Sequence, residues 1–189
     1  MQTKFHLDVA LVHYPVVNRN DEIIGSAVTN LDLHDIARAS RTYGVDTYWV
    51  ITPDARQQEL ALQIVEHWTK GYGGTVNADR ASALSLIRIC SDIDEVVSSI
   101  EDEKGVRPLL IATSAITHGK GVTFDGLRQK LGQGRAAVIL FGTAWGLAPE
   151  IREKVDFFLP PIGGSGTYNH LSVRSAASII LDRLTGNRE

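Results

Sequence analysis

Two glycine-punctuated stretches, AVILFGTAWGLAPEI and FFLPPIGGSGTYNHLSVRSAASIILDRL, hold the residue types in this chain best suited to gripping a small ligand. Each reads as a buried strand running into a loop and then a helix. A third loop of the same kind, ATSAITHG, follows the apolar run RPLLIA. In open α/β sheets, small ligands bind outside the carboxyl ends of the strands. Glycine allows close backbone approach, so Gly142, Gly146, Gly163, Gly164 and Gly166 can turn amides and carbonyls toward an adenine and a ribose. Leu147, Leu159 and Ile162 are placed to sandwich the base. The expected chemistry is that of a nucleotide-like cofactor held by backbone atoms, although each loop alone also reads as an ordinary turn.

Other chemistries lack their residues. A dinucleotide-binding fingerprint needs G-x-G-x-x-G after the first strand, where YPVVNRND stands instead. ATSAITHGKG is not a phosphate loop, because it has no leading glycine and Lys120 precedes Gly121 rather than Ser or Thr. GGSGTY is not the G-x-S-x-G of a hydrolase elbow. The six histidines include no i,i+4 pair, and with one cysteine no tetrahedral zinc set can be read from spacing, so no metal is expected.

The elements that must position these loops alternate along the chain. LDVALVHY reads as a strand ending at Pro15, followed by a polar loop through Asn18, Arg19, Asn20 and Asp21. TNLDLHDIARASRTYG reads as a helix capped by Thr29 or Asn30 and stopped by Gly44, with Leu33, Ile36, Ala37 and Ser40 on its inner face. VDTYWVIT is a second strand, and the helix over Gln57 to Lys70 sets Leu60, Ile64 and Trp68 four apart. Gly71 to Asn77 reads as a turn, ALSLIRIC as a third strand, and Ser91 with Asp94 as the start of a helix. RPLLIAT, AAVILF and DFFLPP complete six strands, with helices around Phe124 to Leu131, Pro149 to Lys154 and Leu171 to Leu184. Continuous apolar strands alternating with helices predict an α/β fold: a mostly parallel six-stranded sheet with helices on both faces.

The chain has 189 residues, 43% of them hydrophobic, and a net charge of −3. It is long enough to bury about two-thirds of its unfolded surface in one core, and one domain over residues 1–189 is expected. The charge provides no global attraction for nucleic acid or an anionic membrane, so any RNA contact must be local. A single cysteine, Cys90, in an apolar run points to a reducing compartment. No run approaches the ~20 apolar residues of a membrane span, and the start MQTKFHLDVA has no signal-like core, so a cytoplasmic protein is expected.

Together the motifs resemble the SPOUT superfamily of S-adenosylmethionine-dependent RNA methyltransferases, the α/β knot proteins. FGTAWGL is similar to the family's F-G-x-E-x-x-G-L loop. LPPIGGSGTYNHLSVRSAASIIL is similar to its I-P-M…S-L-N-V-S-V-A-A-A-I segment. NLDLHDIARASRTYGV resembles its N-x-x-N-x-G-x-I-x-R-T-A-x-x-F-G-V helix, with Arg38 six residues before Gly44. The three matches stand in the family's order and cover most of the chain. YNHLSVRSA resembles a less characterised branch.

The resemblance implies a carboxyl-terminal segment threaded through a loop as a deep trefoil knot, a topology that periodicity would not suggest. It implies a homodimer with a tRNA or rRNA substrate and S-adenosylmethionine as cofactor. The implied cofactor residues are Ala112, Thr113 and Ser114 in the first loop, and Phe141, Gly142, Thr143, Gly146 and Leu147 in the second. In the third they are Leu159, Pro160, Ile162, Gly166, Tyr168, Asn169, His170, Leu171 and Ser172. The resemblance implies Arg38 as a catalytic residue, acting on or beside the acceptor ribose; Ser172 and Arg174 join it as catalytic candidates from their place at the third loop, where Ser172 is a short-range donor and Arg174 can hold a phosphate or an acceptor base. Arg174 also reads as an ordinary salt bridge, and Asn169, His170 and Ser172 as helix caps. Arg19, Arg38, Arg41, Lys120 and Arg174 form a basic set able to meet RNA phosphates, or else a solvated surface.

The chain departs from the family pattern at Ala144, where the loop usually carries Glu, at Ser172, where many members have Asn, and at Arg174, where they have Ser. A non-catalytic module that binds S-adenosylmethionine or RNA on the same fold therefore stands as the alternative. An unknotted doubly wound domain binding another nucleotide is a third reading.

Overall fold

A computed structural model describes residues 5–187; residues 1–4 and 188–189 of the expected domain, and with them the head of MQTKFHLDVA, lie outside the described residues. Six strands form one parallel sheet: β1 (Leu7–Val12), β4 (Tyr48–Ile51), β5 (Ile87–Cys90), β6 (Leu109–Ala112), β7 (Ala137–Gly142) and β8 (Phe157–Phe158). Their spatial order is β5-β4-β1-β7-β6-β8, and every pairing is parallel. β1 and β7 sit at the centre and are buried on both faces, which is why β7 is an unbroken apolar run and β1 is apolar but for Asp8, rather than alternating.

Alternate strand residues divide the core. Leu7, Val9 and Leu11 of β1, with Ile139 and Phe141 of β7, face one layer. That layer contains α1 (Asn30–Thr42), α2 (Ala55–Thr69), α4 (Ala78–Leu84), α6 (Phe124–Gly132) and α8 (Val173–Thr185). Ala10, Val12, Val138 and Leu140 face α5 (Ile93–Lys104) and α7 (Pro149–Lys154) on the other side. Helices cover both faces, as expected for a sheet of this kind.

Helix boundaries follow local chemistry. Thr29 caps α1 by accepting from the Asp32 amide at 3.1 Å, and the helix buries the four expected residues, Leu33, Ile36, Ala37 and Ser40. It ends before Gly44, which adopts φ +73°. Asp92 caps α5, while the Ser91 amide donates to the Glu95 carboxylate at 3.0 Å.

Three sequence expectations are corrected. The segment expected as a turn at Gly71 to Asn77 contains the short helix α3 (Tyr72–Val76), and α4 follows it directly. ALSLIRIC is therefore not one strand: Ala83 and Leu84 end α4, and only Ile87–Cys90 pair with β4. The polar loop after Pro15 is flanked by two-residue strands, β2 (Val16–Val17) and β3 (Ile23–Ile24), paired antiparallel.

At the β8 edge, the chain encloses its own strand. β8 pairs with β6 through Ile111↔Phe157 and Ala112↔Phe158. On its outer side the Phe158 amide donates to Lys120 O at 2.7 Å, and Phe158 O accepts from the Val122 amide at 2.9 Å. Both flanks belong to one excursion of chain, residues 109–122, which leaves the sheet as β6 and returns around β8.

Candidate functional site

The carboxyl ends of β1, β6, β7 and β8 open into one cavity of about 810 Å³. Its walls come from the segment after β3 (Ser26, Ala27, Thr29, Asp32), the loop after β6 (residues 113–118), the loop after β7 (residues 142–147) and the loop between β8 and α8. The volume lies within the range of small-molecule sites.

Gly142 at the end of β7 is fixed by the backbone that folds over it. A Cβ there would meet Leu147 N at 2.7 Å and Gly146 C at 2.9 Å, so no side chain fits without moving the loop. The loop turns through Ala144 at φ +50° and Gly146 at φ +114°, both left-handed. It is tied to the hairpin by Trp145 N donating to Val17 O at 3.0 Å and Val17 N donating to Gly146 O at 3.0 Å. A chain of polar side chains braces the same junction. His13 Nδ1 lies 3.0 Å from Ser26 Oγ, and Ser26 Oγ lies 2.5 Å from Thr143 Oγ1. Thr143 Oγ1 donates to Val12 O at 3.0 Å, so its one proton is committed. Ser26 then donates to Thr143 and accepts from His13 Nδ1–H. His13 is fully buried and its Nε2 has no partner. Burial pushes its pKa below the usual histidine value, against the opposing influence of Asp32 and Ser26, which keeps the ring neutral.

The third loop offers unpaired backbone. From residue 162 to 171 no amide or carbonyl makes a backbone hydrogen bond among the described residues. The loop is anchored where Asn169 Nδ2 donates to Ala115 O at 2.9 Å. Ile162 and Leu171, with Ala176 and Ile180 of α8, give the cavity an apolar side. His118 Nε2 lies 3.1 Å from Ser114 Oγ, and its ring stacks on Phe158 at 4.1 Å between centroids. Desolvation, then the Arg152 charge, lowers the His118 pKa.

Most of the implied cofactor residues meet here: Thr113, Ser114, Phe141, Gly142, Thr143, Gly146, Leu147, Pro160, Ile162, Asn169, His170, Leu171 and Ser172 all line the cavity. Ala112 and Leu159 do not; both are buried beneath it, where the Leu159 amide donates to Ala112 O at 2.9 Å. Leu159 therefore cannot sandwich a base. Tyr168 is 80% exposed and stands edge-on to His170, outside the cavity lining, as does Gly166. A Cβ at Gly163, Gly164 or Gly166 would meet nothing within 4 Å, so steric need does not explain those glycines.

The expected catalytic set is split. Ser172 lines the cavity and caps α8, accepting from the Ser175 amide at 3.2 Å. Arg174 lies just outside, between Asp32 (3.5 Å) and Asp35 (3.6 Å). Arg38 faces a different cleft, between α1 and α4. Sequence reasoning missed Ser26, Asp32 and His118. Asp32 is held by Thr29 Oγ1, which donates to its Oδ2 at 2.5 Å, and Oδ1 faces Arg174. The Thr29-to-Asp32 spacing was the one available signal, since it is that of a capping side chain.

The cavity offers S-adenosylmethionine what its parts require: an apolar side for the base, unpaired backbone for the sugar and amino-acid moieties, and the Asp32 carboxylate for positive charge. Among the described residues no helix is long and apolar enough to cross a membrane.

Comparison with known proteins agrees with this geometry. Residues 6–186 match the model of a family described as SAM-dependent RNA methyltransferase. A tRNA (guanine-N(1)-)-methyltransferase of Oleidesulfovibrio alaskensis is 46% identical over 183 residues, 96% of this chain and 42% of that protein. An uncharacterized protein of Aquifex aeolicus is 39% identical over 177 residues, 93% of this chain and 86% of that protein. The SpoU methyltransferase AviRb of Streptomyces viridochromogenes, solved with AdoMet, shares the fold at TM-score 0.58 and 19% identity, covering 96% of this chain and 57% of that one. The chain spans less than half the length of the guanine-N(1) relative. The match across almost the whole chain, together with the parallel sheet and the strand-end cavity, assigns it to the SAM-dependent RNA methyltransferases of the SPOUT superfamily.

Proposed function

We propose that this chain transfers a methyl group from S-adenosylmethionine to a tRNA. The observation that carries the proposal is the meeting of three strand-end loops in one cavity, with an unpaired backbone loop facing an apolar wall. The tRNA substrate is favoured by the likeness to the tRNA methyltransferase of Oleidesulfovibrio alaskensis. Its guanine-N(1) position is not carried over, because more than half of that protein has no counterpart here.

Bound S-adenosylmethionine supplies an electrophilic methyl, so the protein's task is alignment and proton handling. The loops after β7 and β8 hold and orient the cofactor, and Ile162, Leu171 and Ile180 exclude water from its base. An acceptor O–H or N–H must lose its proton. Asp32 is the carboxylate at the cavity wall that receives it, with Thr29 and Arg174 holding its two oxygens in place. Arg174 thus serves as a positioning residue. Ser26 Oγ keeps a lone pair with which to accept a hydrogen bond from the acceptor group and orient it.

The active unit proposed is a homodimer of single-domain subunits in a reducing, cytoplasmic setting. Exposed apolar residues of the cavity lining, Ile116, Trp145 and Leu171, favour cover by a second subunit or by RNA. The buried thiol of Cys90, its pKa pushed up to about 12 mainly by desolvation, suits a chain kept reduced. We further propose that the carboxyl-terminal segment is threaded as a trefoil knot. The enclosure of β8 by residues 109–122 supports this reading, as does the docking of α8 against α1 and α6 beyond it.

The test is incubation of the protein with S-adenosylmethionine and total tRNA from a strain lacking the gene, followed by nucleoside mass spectrometry. A single nucleoside gaining one methyl is expected. The second reading, cofactor binding without transfer, is favoured by Ala144, which leaves the second loop without a carboxylate. Tight cofactor binding with no methylated nucleoside would select it, and absence of cofactor binding would overturn both.

A further inference from the structure

A second cleft, about 440 Å³ in volume, lies between α1 and α4, apart from the cavity at the strand ends. Three guanidinium groups converge on it, those of Arg38, Arg41 and Arg80, with Asn77, Ser82 and Thr42 supplying amide and hydroxyl groups. Asp79 is the one carboxylate in the lining, so the charged side chains sum to +2. None of the three arginines has a carboxylate within 4.0 Å among the described residues, whereas Arg174 on the neighbouring helix has two.

The cleft is built, with one arginine held in place by its packing. The Arg80 guanidinium lies over the Trp68 ring, 4.6 Å from its centroid, which fixes a long side chain in one orientation. His34, one turn before Arg38, reports the local field: its pKa is lowered first by desolvation and then by Arg80 and Arg38, against the pull of Asp35. On α1, Arg38 and Arg41 are i,i+3 neighbours on the same stripe. That stripe continues through Asp35 to Asp32, which lines the main cavity. Unpaired arginines in an open, polar cleft with no base-sized apolar wall suit phosphate groups on an extended chain.

We infer that the α1–α4 cleft is a phosphate-binding groove for the RNA backbone, seating the strand beside the cavity in which its nucleotide is methylated. The inference rests on the RNA methyltransferase reading for the identity of the polyanion. It also accounts for a chain of net charge −3 binding RNA, since the attraction is concentrated in one groove.

The test is binding of unfractionated tRNA to the full chain as NaCl is varied, with Arg41→Gln/Arg80→Gln against wild type. Each lost phosphate contact lowers the slope of log K against log salt by ~0.7–0.9, so the pair is expected to lower it by ~1.4–1.8. Arg41→Lys/Arg80→Lys keeps the charge and is expected to restore most of the slope. Calorimetry with S-adenosylmethionine should give equal affinity for all three proteins, which also shows that they are folded. An unchanged slope and affinity in the glutamine pair overturns the inference, as does wild type that binds no tRNA. If inorganic phosphate raises the melting temperature of wild type but not of the glutamine pair, while their tRNA affinities match, the groove serves a small anion and the RNA assignment fails. Failure of wild type to bind S-adenosylmethionine would instead strike the methyltransferase reading and leave the salt slopes to be judged separately.

Discussion

Gly142→Ala is the sharpest perturbation available at the cofactor cavity. The added methyl would lie 2.7 Å from Leu147 N, 2.9 Å from Gly146 C and 3.0 Å from Gly146 Cα, where ordinary contacts are ~3.5–4.0 Å. The loop must therefore retreat by about 0.8 Å. It cannot do so alone, because Trp145, Gly146 and Ala148 are hydrogen-bonded to residues 15–17. Forced overpacking of this kind costs about 1–3 kcal/mol. At ~2–4 °C per kcal/mol for a chain of this length, the melting temperature should fall by ~2–12 °C. The loop also forms the cavity wall, so a strain of ~1.4 kcal/mol expressed at the site weakens S-adenosylmethionine about tenfold. Calorimetry and thermal unfolding measure the two effects together. Gly163→Ala is the control, since its methyl would meet nothing within 4 Å, and it should leave both quantities unchanged. If Gly142→Ala melts and binds like wild type, the cavity assignment is wrong.

Asp32→Asn removes the charge that faces the cofactor as well as the proton acceptor, so it should weaken S-adenosylmethionine and, at saturating cofactor, still reduce methyl transfer by ~10²-fold or more, read by radiolabelled methyl incorporation into tRNA; equal rates at saturation would remove Asp32 from the mechanism. Trp145→Ala, truncating an indole that is 62% exposed at the cavity mouth, should cost ~1–3 kcal/mol of RNA affinity and none of cofactor affinity, and a titration of both ligands decides it. Asp8 lies buried on β1, its carboxyl pushed up to about 6 chiefly by desolvation, against the hydrogen bond that Trp49 Nε1 donates to it at 2.8 Å. Because the folded state holds this proton more tightly than the unfolded one, stability falls as pH rises from ~4 to 6 and is level above. Asp8→Asn keeps an acceptor for Trp49 and removes that loss, so its stability above pH 6 should exceed wild type by up to ~3 kcal/mol. Urea unfolding across pH 4–8 would show the two curves diverging, and parallel curves would refute it.

The sheet was legible because its strands are continuous apolar runs, and α1 because its inner face, cap and stop are all local signals. What failed was ambiguous in one dimension. An eight-residue apolar run such as ALSLIRIC fits a strand or the end of a helix followed by a strand, and only the pairing of Ile87–Cys90 with β4 decides it. The β2–β3 hairpin has two residues per strand, too few for an alternating pattern to register. Within the site, the glycines and apolar residues of the second loop were readable because a close backbone turn needs them. Ser26 was not, since its partner Thr143 is more than a hundred residues away, and His13 reaches that junction only through Ser26. Leu159 looked like a base-stacking side chain in sequence, yet its strand-end amide draws it under the floor.

The flanks of β8, β6 on one side and Lys120 to Val122 on the other, leave the ribosome before β8 itself does. The loop that forms the remaining cavity wall is translated later still. A nascent chain therefore carries an incomplete pocket until the loop after β8 has been made. Once closed, the edge strand is clasped on both sides and offers no free ladder to another molecule, so this border of the sheet is shielded against strand-to-strand aggregation.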